Sequence, residues 1–225
     1  MLSIKNLSVN YGSISALRDE NIEVQSGELV TLIGGNGAGK STFAKILSGL
    51  LHEKRGSVYS CGKDSCNDIK LNSRTRRRTI YYLSNNLDSN LFEVSAAEEL
   101  RLNDLAADTA EILKDYCLVT VADTHPQILS GGQKQRLAIA AASLLKRDAY
   151  IFDEPTSGLD GKNMRLVADK MRKLQAQDKI VIVISHDYEF LMEICSIVLH
   201  LNGNSFTEYT AASDKEKILN ILQQE

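Results

Sequence analysis

A chain of 225 residues with 43% hydrophobic content can bury a sizeable core as one large or two small units. Its formal charge of −3 gives no basis for nucleic-acid binding. No apolar run approaches the ~20 residues that span a bilayer, so the chain is not itself a channel.

The start, Met1-Leu2-Ser3-Ile4-Lys5, enters a strand-like alternation directly, without a signal-peptide pattern. Leu2, Ile4, Leu7 and Val9, then Ile14 to Val24, predict a small antiparallel layer. Leu29-Val30-Thr31-Leu32-Ile33 is a short, β-branched apolar run of the kind that forms a buried strand. Directly after it, Gly34 to Ser41 matches G-x-x-x-x-G-K-S. Phe43, Ile46, Leu47 and Leu50 then recur at helical spacing. The motif therefore sits between strand and helix, which disfavours the reading of a Gly-rich turn that merely carries Lys-Ser. Glycines let the backbone of Asn36, Gly37, Ala38 and Gly39 curl and offer N–H groups to phosphate oxygens. The helix start adds partial positive charge. Lys40 can reach β- and γ-phosphates, and the Ser41 hydroxyl, followed by Thr42, can ligate Mg²⁺.

The run Arg74-Thr75-Arg76-Arg77-Arg78 reads as a solvated loop or helix end. Contact with lipid headgroups or an acidic partner loop is the lesser alternative. From about Asn86 the pattern turns helical, through Ala96 to Leu100 and Thr109 to Cys117, to a strong helix over Gln133–Lys146. Just before that last helix stands Leu129-Ser130-Gly131-Gly132-Gln133, a second surface suited to phosphate. Ala149 to Phe152 predicts a strand that delivers Asp153 and Glu154 at its C-terminal end, where open parallel sheets bind ligands. Asp153 would hold Mg²⁺ through water; Glu154 would orient or deprotonate an attacking water. An acidic pair capping the next turn is the competing reading, and it loses beside the phosphate loop. A further strand, Lys179 to Ser185, ends at His186, which can reach the γ-phosphate and Glu154; Asp187, next in the chain, favours a functional reading. His52, His125 and His200 have no such context. From Asp214, Ile218, Leu219, Ile221 and Leu222 share one helical face, expected to pack. Cys61, Cys66, Cys117 and Cys195 read as reduced thiols, since no second ligand pair accompanies the first two.

Taken in order, these motifs resemble the nucleotide-binding subunit of ATP-binding cassette (ABC) transporters along essentially the whole chain. The resemblance implies a phosphate-loop NTPase α/β core: a mostly parallel sheet, a small antiparallel β layer, and an inserted helical subdomain over residues 86–145, with 1–85 and 146–225 as the catalytic core. It implies ATP and Mg²⁺ as ligands. Tyr11 falls where the family stacks an aromatic ring on adenine. Ser130, Gly131, Gly132 and Gln133 fall on the family signature, which faces the γ-phosphate held by Lys40 of an opposing subunit. Asp160, in Ser157-Gly158-Leu159-Asp160, would cross that dimer interface, and His186 matches the switch histidine.

Two departures stand out. Gly35 replaces a common Pro, at no cost in phosphate ligands. Where the family places a Gln that touches Mg²⁺ or the attacking water, alignment gives Asn85, with Asn86 adjacent. The resemblance further implies an integral membrane transporter subunit and a second cassette, identical or different, as partners. The chain would then lie peripherally on the cytoplasmic face of the cell membrane. Residues 85–92, followed by Val94 and Glu98-Glu99-Leu100, are similar to energy-coupling-factor and cobalt-type importer ATPases, which take up vitamins and metal ions. The alternative is a soluble ABC ATPase with an assembly role, such as iron–sulfur cluster assembly. A non-hydrolysing structural subunit would need a substituted Glu154 or a degraded signature, and both are intact.

Overall fold

The chain runs β1 (Leu2–Tyr11), β2 (Ile14–Val24), β3 (Leu29–Ile33), α1 (Lys40–Leu47), β4 (Arg55–Ser60), β5 (Ile69–Leu71), α2 (Ser73–Thr79) and β6 (Ile80–Leu83). It continues through α3 (Ala96–Asn103), α4 (Thr109–Asp115), α5 (Gly131–Leu144), β7 (Ala149–Asp153), α6 (Gly161–Ala176) and β8 (Ile180–Ile184). It ends with α7 (Tyr188–Ile194), β9 (Ile197–Asn202), β10 (Ser205–Thr210) and α8 (Lys215–Gln224). This computed structural model describes residues 1–11, 14–53, 55–60 and 69–224, and side chains at 10–16 lie outside the description. Cys61 and Cys66 are also outside it, while Cys117 and Cys195 are free thiols.

One sheet has the order β10-β9-β3-β8-β7-β6, parallel except for β10 on the edge; the other is antiparallel in the order β2-β1-β4-β5. The parallel strands explain why their sequences are apolar without alternation. Successive side chains point to opposite faces, and here both faces are covered. Ile180, Ile182 and Ile184 of β8 join Ala149 and Ile151 of β7 in a core with α1 and the antiparallel sheet. Val181 and Val183, with Tyr150 and Phe152, face the other way into a core with α5 and α6. Each such buried side chain contributes about 1.5–3 kcal/mol. The second core continues without a break into α3 and α4, through Ala96, Leu100, Leu113 and Leu118. The helical stretch between β6 and β7 is therefore packed directly on the sheet.

Two expectations need correction. Leu50 is not on the buried face of α1; the helix ends at Leu47, and Leu50 is 52% exposed. Ser48 closes the helix by donating to Ala44 O, and Gly49 follows at φ 76°, so the helical period stops before Leu50. The basic run is not uniformly solvated. Residues 73–79 form α2, capped by Asn72, and this turn points Arg76 inward, to 1% exposure. Its guanidinium grips both carboxylate oxygens of Glu53 and donates to Ile46 O at 2.8 Å. At the far end, Ile218, Ile221 and Leu222 of α8 pack with Ile33, Leu191 and Val198, whereas Leu219, expected on the same face, is not part of that cluster. No helix among the described residues is long and apolar enough to cross a membrane.

Candidate active site

The parallel topology brings the C-terminal ends of β3, β7 and β8 together, and a cleft of about 410 Å³ opens there. Asn36 to Thr42, Asn85, Asp153, Glu154, Ile184 and His186 line it. The loop 34–39 leaves β3 under a steric constraint. Gly34 has φ 147°, and a Cβ there would lie 2.5 Å from the carbonyl oxygen of Leu201. Gly34→Ala is therefore expected to cost more than about 1 kcal/mol and to displace the loop. Thermal denaturation, with binding of a non-hydrolysable ATP analogue, checks it.

The helix starts separate the cleft from the rest of the surface. Helices α2 to α7 each open on a capping side chain: Asn72, Ser95, Asp108, Ser130, Asp160 and Asp187. Helix α1 has no side-chain cap and no acidic residue in its first turn. Its first N–H groups, on residues that line the cleft, are left for an anion. Lys40 Nζ donates to the carbonyls of Gly34 and, at 3.1 Å, Gly35. An ammonium has three donors, so one remains for phosphate.

Glu154 turns off β7 with φ 54°, a left-handed conformation that is strained for a glutamate. Its N–H bonds Ile184 O at 2.8 Å, which fixes the turn against β8. The carboxylate is mostly buried, and His186 Nδ1 lies 2.9 Å from Oε1. An ionised carboxylate has no proton to give, so Nδ1 is the donor. Burial pushes the Glu154 carboxyl above the ordinary range; His186 pulls it back, Asp153 adds to the rise and Lys40 opposes it. Asp187, next to His186, caps α7 by accepting from Phe190 N. Asn85 is exposed on the cleft wall, whereas Asn86 lines only the adjoining hollow. The Asn86 carbonyl is occupied, accepting from Ser84, Ser89 and Asn90 side chains.

Sequence reasoning missed Tyr82. Its hydroxyl donates to Asp153 Oδ2 at 2.7 Å. Burial first, then Asp153, pushes the phenol far above its usual range, so it stays a donor. Only strand pairing reveals this neighbour, since the two residues are 71 apart in sequence.

Of the other residues singled out, Tyr11 lies at the end of β1 but its side chain is outside the description. Ser130, Gly131, Gly132, Gln133 and Asp160 do not line the cleft. Ser130 Oγ and Gln133 form a reciprocal capping box at the start of α5, and Asp160 accepts from Asn163 N at 2.8 Å. The Ser130 hydroxyl proton and the N–H groups of Gly131 and Gly132 remain available. A Cβ on Gly132 would meet Leu159 at 3.2 Å, and Arg136 Nη1 bonds Asn163 Oδ1 at 2.6 Å. The first turns of α5 and α6 are thereby linked.

Among the described residues no cluster of three or more His, Cys, Asp or Glu side chains gathers for a metal. Beside Glu154, which pairs with His186, the cleft offers the Asp153 carboxylate, the Ser41 hydroxyl and the Asn85 amide. Such sparse, hard oxygen donors fit Mg²⁺, which keeps waters and substrate phosphates in its shell.

Comparison with known proteins identifies the family. The ABC transporter family model matches residues 17–157. A putative ABC transporter ATP-binding protein of Treponema denticola is 38% identical over 221 residues, covering 96% of this chain and 44% of that protein. The chain thus spans less than half of that relative. An energy-coupling factor transporter ATP-binding protein of Fusobacterium nucleatum is 31% identical over 241 residues, 99% of this chain and 90% of that one. A solved dimeric ATP-binding cassette in a post-hydrolysis state, bound to ADP and Pi, superposes with TM-score 0.80 at 26% identity, over 94% of this chain and 99% of that one. With the family model covering more than half of the sequence and the Fusobacterium relative matching nearly all of it, the chain belongs to the ABC transporter ATP-binding family.

Proposed function

We propose that this chain binds and hydrolyses ATP as a subunit that energises a membrane transporter, an importer of a micronutrient such as a vitamin or metal ion. The observation that carries the hydrolytic reading is the Glu154–His186 pair, 2.9 Å apart at the edge of the phosphate-loop cleft. The importer reading rests on the near full-length similarity to the energy-coupling factor relative.

In this reading ATP enters with its phosphates against the uncapped start of α1, and Tyr11 stacks on the adenine. Lys40 turns its third donor to the β- and γ-phosphates. A second cassette, identical or different, then closes over the cleft. Ser130, Gly131, Gly132 and Gln133 of each subunit meet the γ-phosphate of the other, and Asp160 crosses between them. Closure excludes water and strengthens every charge interaction in the site. Glu154, oriented by His186, takes a proton from the attacking water as its oxygen bonds to the γ-phosphorus. The bond to the bridging oxygen breaks, and ADP departs as leaving group. Ser41, Asp153 and Asn85 would hold Mg²⁺, which would supply neutralisation of charge on the phosphates. The segment 86–145 carries the reopening motion to the membrane subunit. The chain thereby works on the cytoplasmic face of the membrane.

Tagging the chain and solubilising native membranes in mild detergent tests the reading. An integral membrane protein without its own cassette is expected to co-purify, together with a small substrate-binding membrane protein. Recovery of soluble proteins alone would overturn the transporter reading in favour of an assembly ATPase.

A further inference from the structure

The hydrogen bond between Tyr82 and Asp153 spans two strands and ends inside the metal-binding part of the cleft. Parallel pairing sets Tyr82 opposite Ile151, and Asp153 lies two residues further along the same face of β7. The Tyr82 ring packs on the core between the sheet and α1, with Ile80 and Ile151. From that position the hydroxyl donates to Asp153 Oδ2 at 2.7 Å. Ser41, at the start of α1, lines the same hollow as Tyr82 and Asp153. The tyrosine therefore touches one of the groups that the ATP-site reading assigns to the metal, the Asp153 carboxylate.

We infer that Tyr82 is a positioning residue for that metal. Its hydroxyl holds one oxygen of the Asp153 carboxylate and leaves Oδ1 for the ion's shell. The inference rests on the ATP-site reading and adds to it. A charge-assisted O–H···O⁻ bond of this length is strong. The ring is held by packing on a paired strand, so the donor is fixed before the ion arrives. Outer partners of this kind orient metal ligands, and losing one typically weakens the metal about 10- to 100-fold.

The test measures Mn²⁺, as the probe for Mg²⁺, by electron paramagnetic resonance. The full chain is titrated under saturating non-hydrolysable ATP analogue, as wild type and Tyr82→Phe. The phenylalanine variant keeps the ring and its packing. It is expected to bind Mn²⁺ about 10- to 100-fold more weakly, while its affinity for the analogue in metal-free buffer is unchanged. In an Asp153→Asn background, Tyr82→Phe is expected to add no further loss, because the phenol acts through the carboxylate. A tyrosine with a merely structural role would lower thermal stability and leave Mn²⁺ affinity alone, which overturns the inference. Tighter binding also overturns it, since the phenol would then be competing with the ion. If wild type shows no metal-dependent binding of the analogue, the ATP-site reading itself fails, and this inference with it.

Discussion

Glu154→Gln is expected to give a protein that still binds ATP, turns over on the order of a hundred- to ten-thousand-fold more slowly, and accumulates as an ATP-bound dimer. The amide keeps the size of the side chain and an oxygen to accept from His186 Nδ1, so the closed geometry survives while the proton acceptor is lost. Phosphate release and size-exclusion chromatography in ATP check the two halves separately. Undiminished turnover would remove Glu154 from the proton transfer. The pH profile gives an independent reading. The base must be unprotonated, and burial holds the Glu154 carboxyl above the usual range, with His186 and Lys40 working against that rise. Protonation therefore sets in at a higher pH than for a solvent-exposed glutamate. Activity should fall on acidification earlier than an ordinary carboxylate would predict. His186→Ala removes a lowering influence and should move that acid limb higher still.

How much of this could be read from sequence follows from what each signal needs. Buried parallel strands announce themselves as apolar runs because both faces are covered, so β3, β7 and β8 were legible, with the loop and carboxylates at their ends. The capping side chains of α5, α6 and α7 are Ser130, Asp160 and Asp187, of which Asp187 stands in sequence only as the neighbour of His186. A local cap and a site residue look alike until the Phe190 N–H is located. Tyr82 could not be read, because its meaning depends on which strand lies beside β6. Asn85 shows the opposite case. Alignment sets it beside an equivalent neighbour, and the two differ in place: Asn85 lines the cleft, whereas Asn86 lines only the adjoining hollow.

The basic run shows most plainly that charge pattern alone does not fix burial, and it carries the largest stability effect. Arg74, Arg77 and Arg78 are exposed, while Arg76 is buried. Arg76 joins α2 to the last turn of α1 through Ile46 O, and to the following loop through Glu53. Arg76→Ala leaves the Ile46 carbonyl without that donor and strands a carboxylate that is only 18% exposed. Breaking a buried pair from one side costs about 3–5 kcal/mol. Glu53 retains some water and Arg76 Nε has no partner to lose, so about 3 kcal/mol is expected. In a chain of this size that lowers Tm by roughly 6–12 °C. Arg74→Ala, which removes an exposed charge from the same run, should fall within about 0.5 kcal/mol of wild type. Differential scanning calorimetry of the two variants separates the explanations. Equal losses would mean that the run acts through its summed charge, whereas a loss confined to Arg76 assigns the effect to a buried strut beneath the last turn of α1.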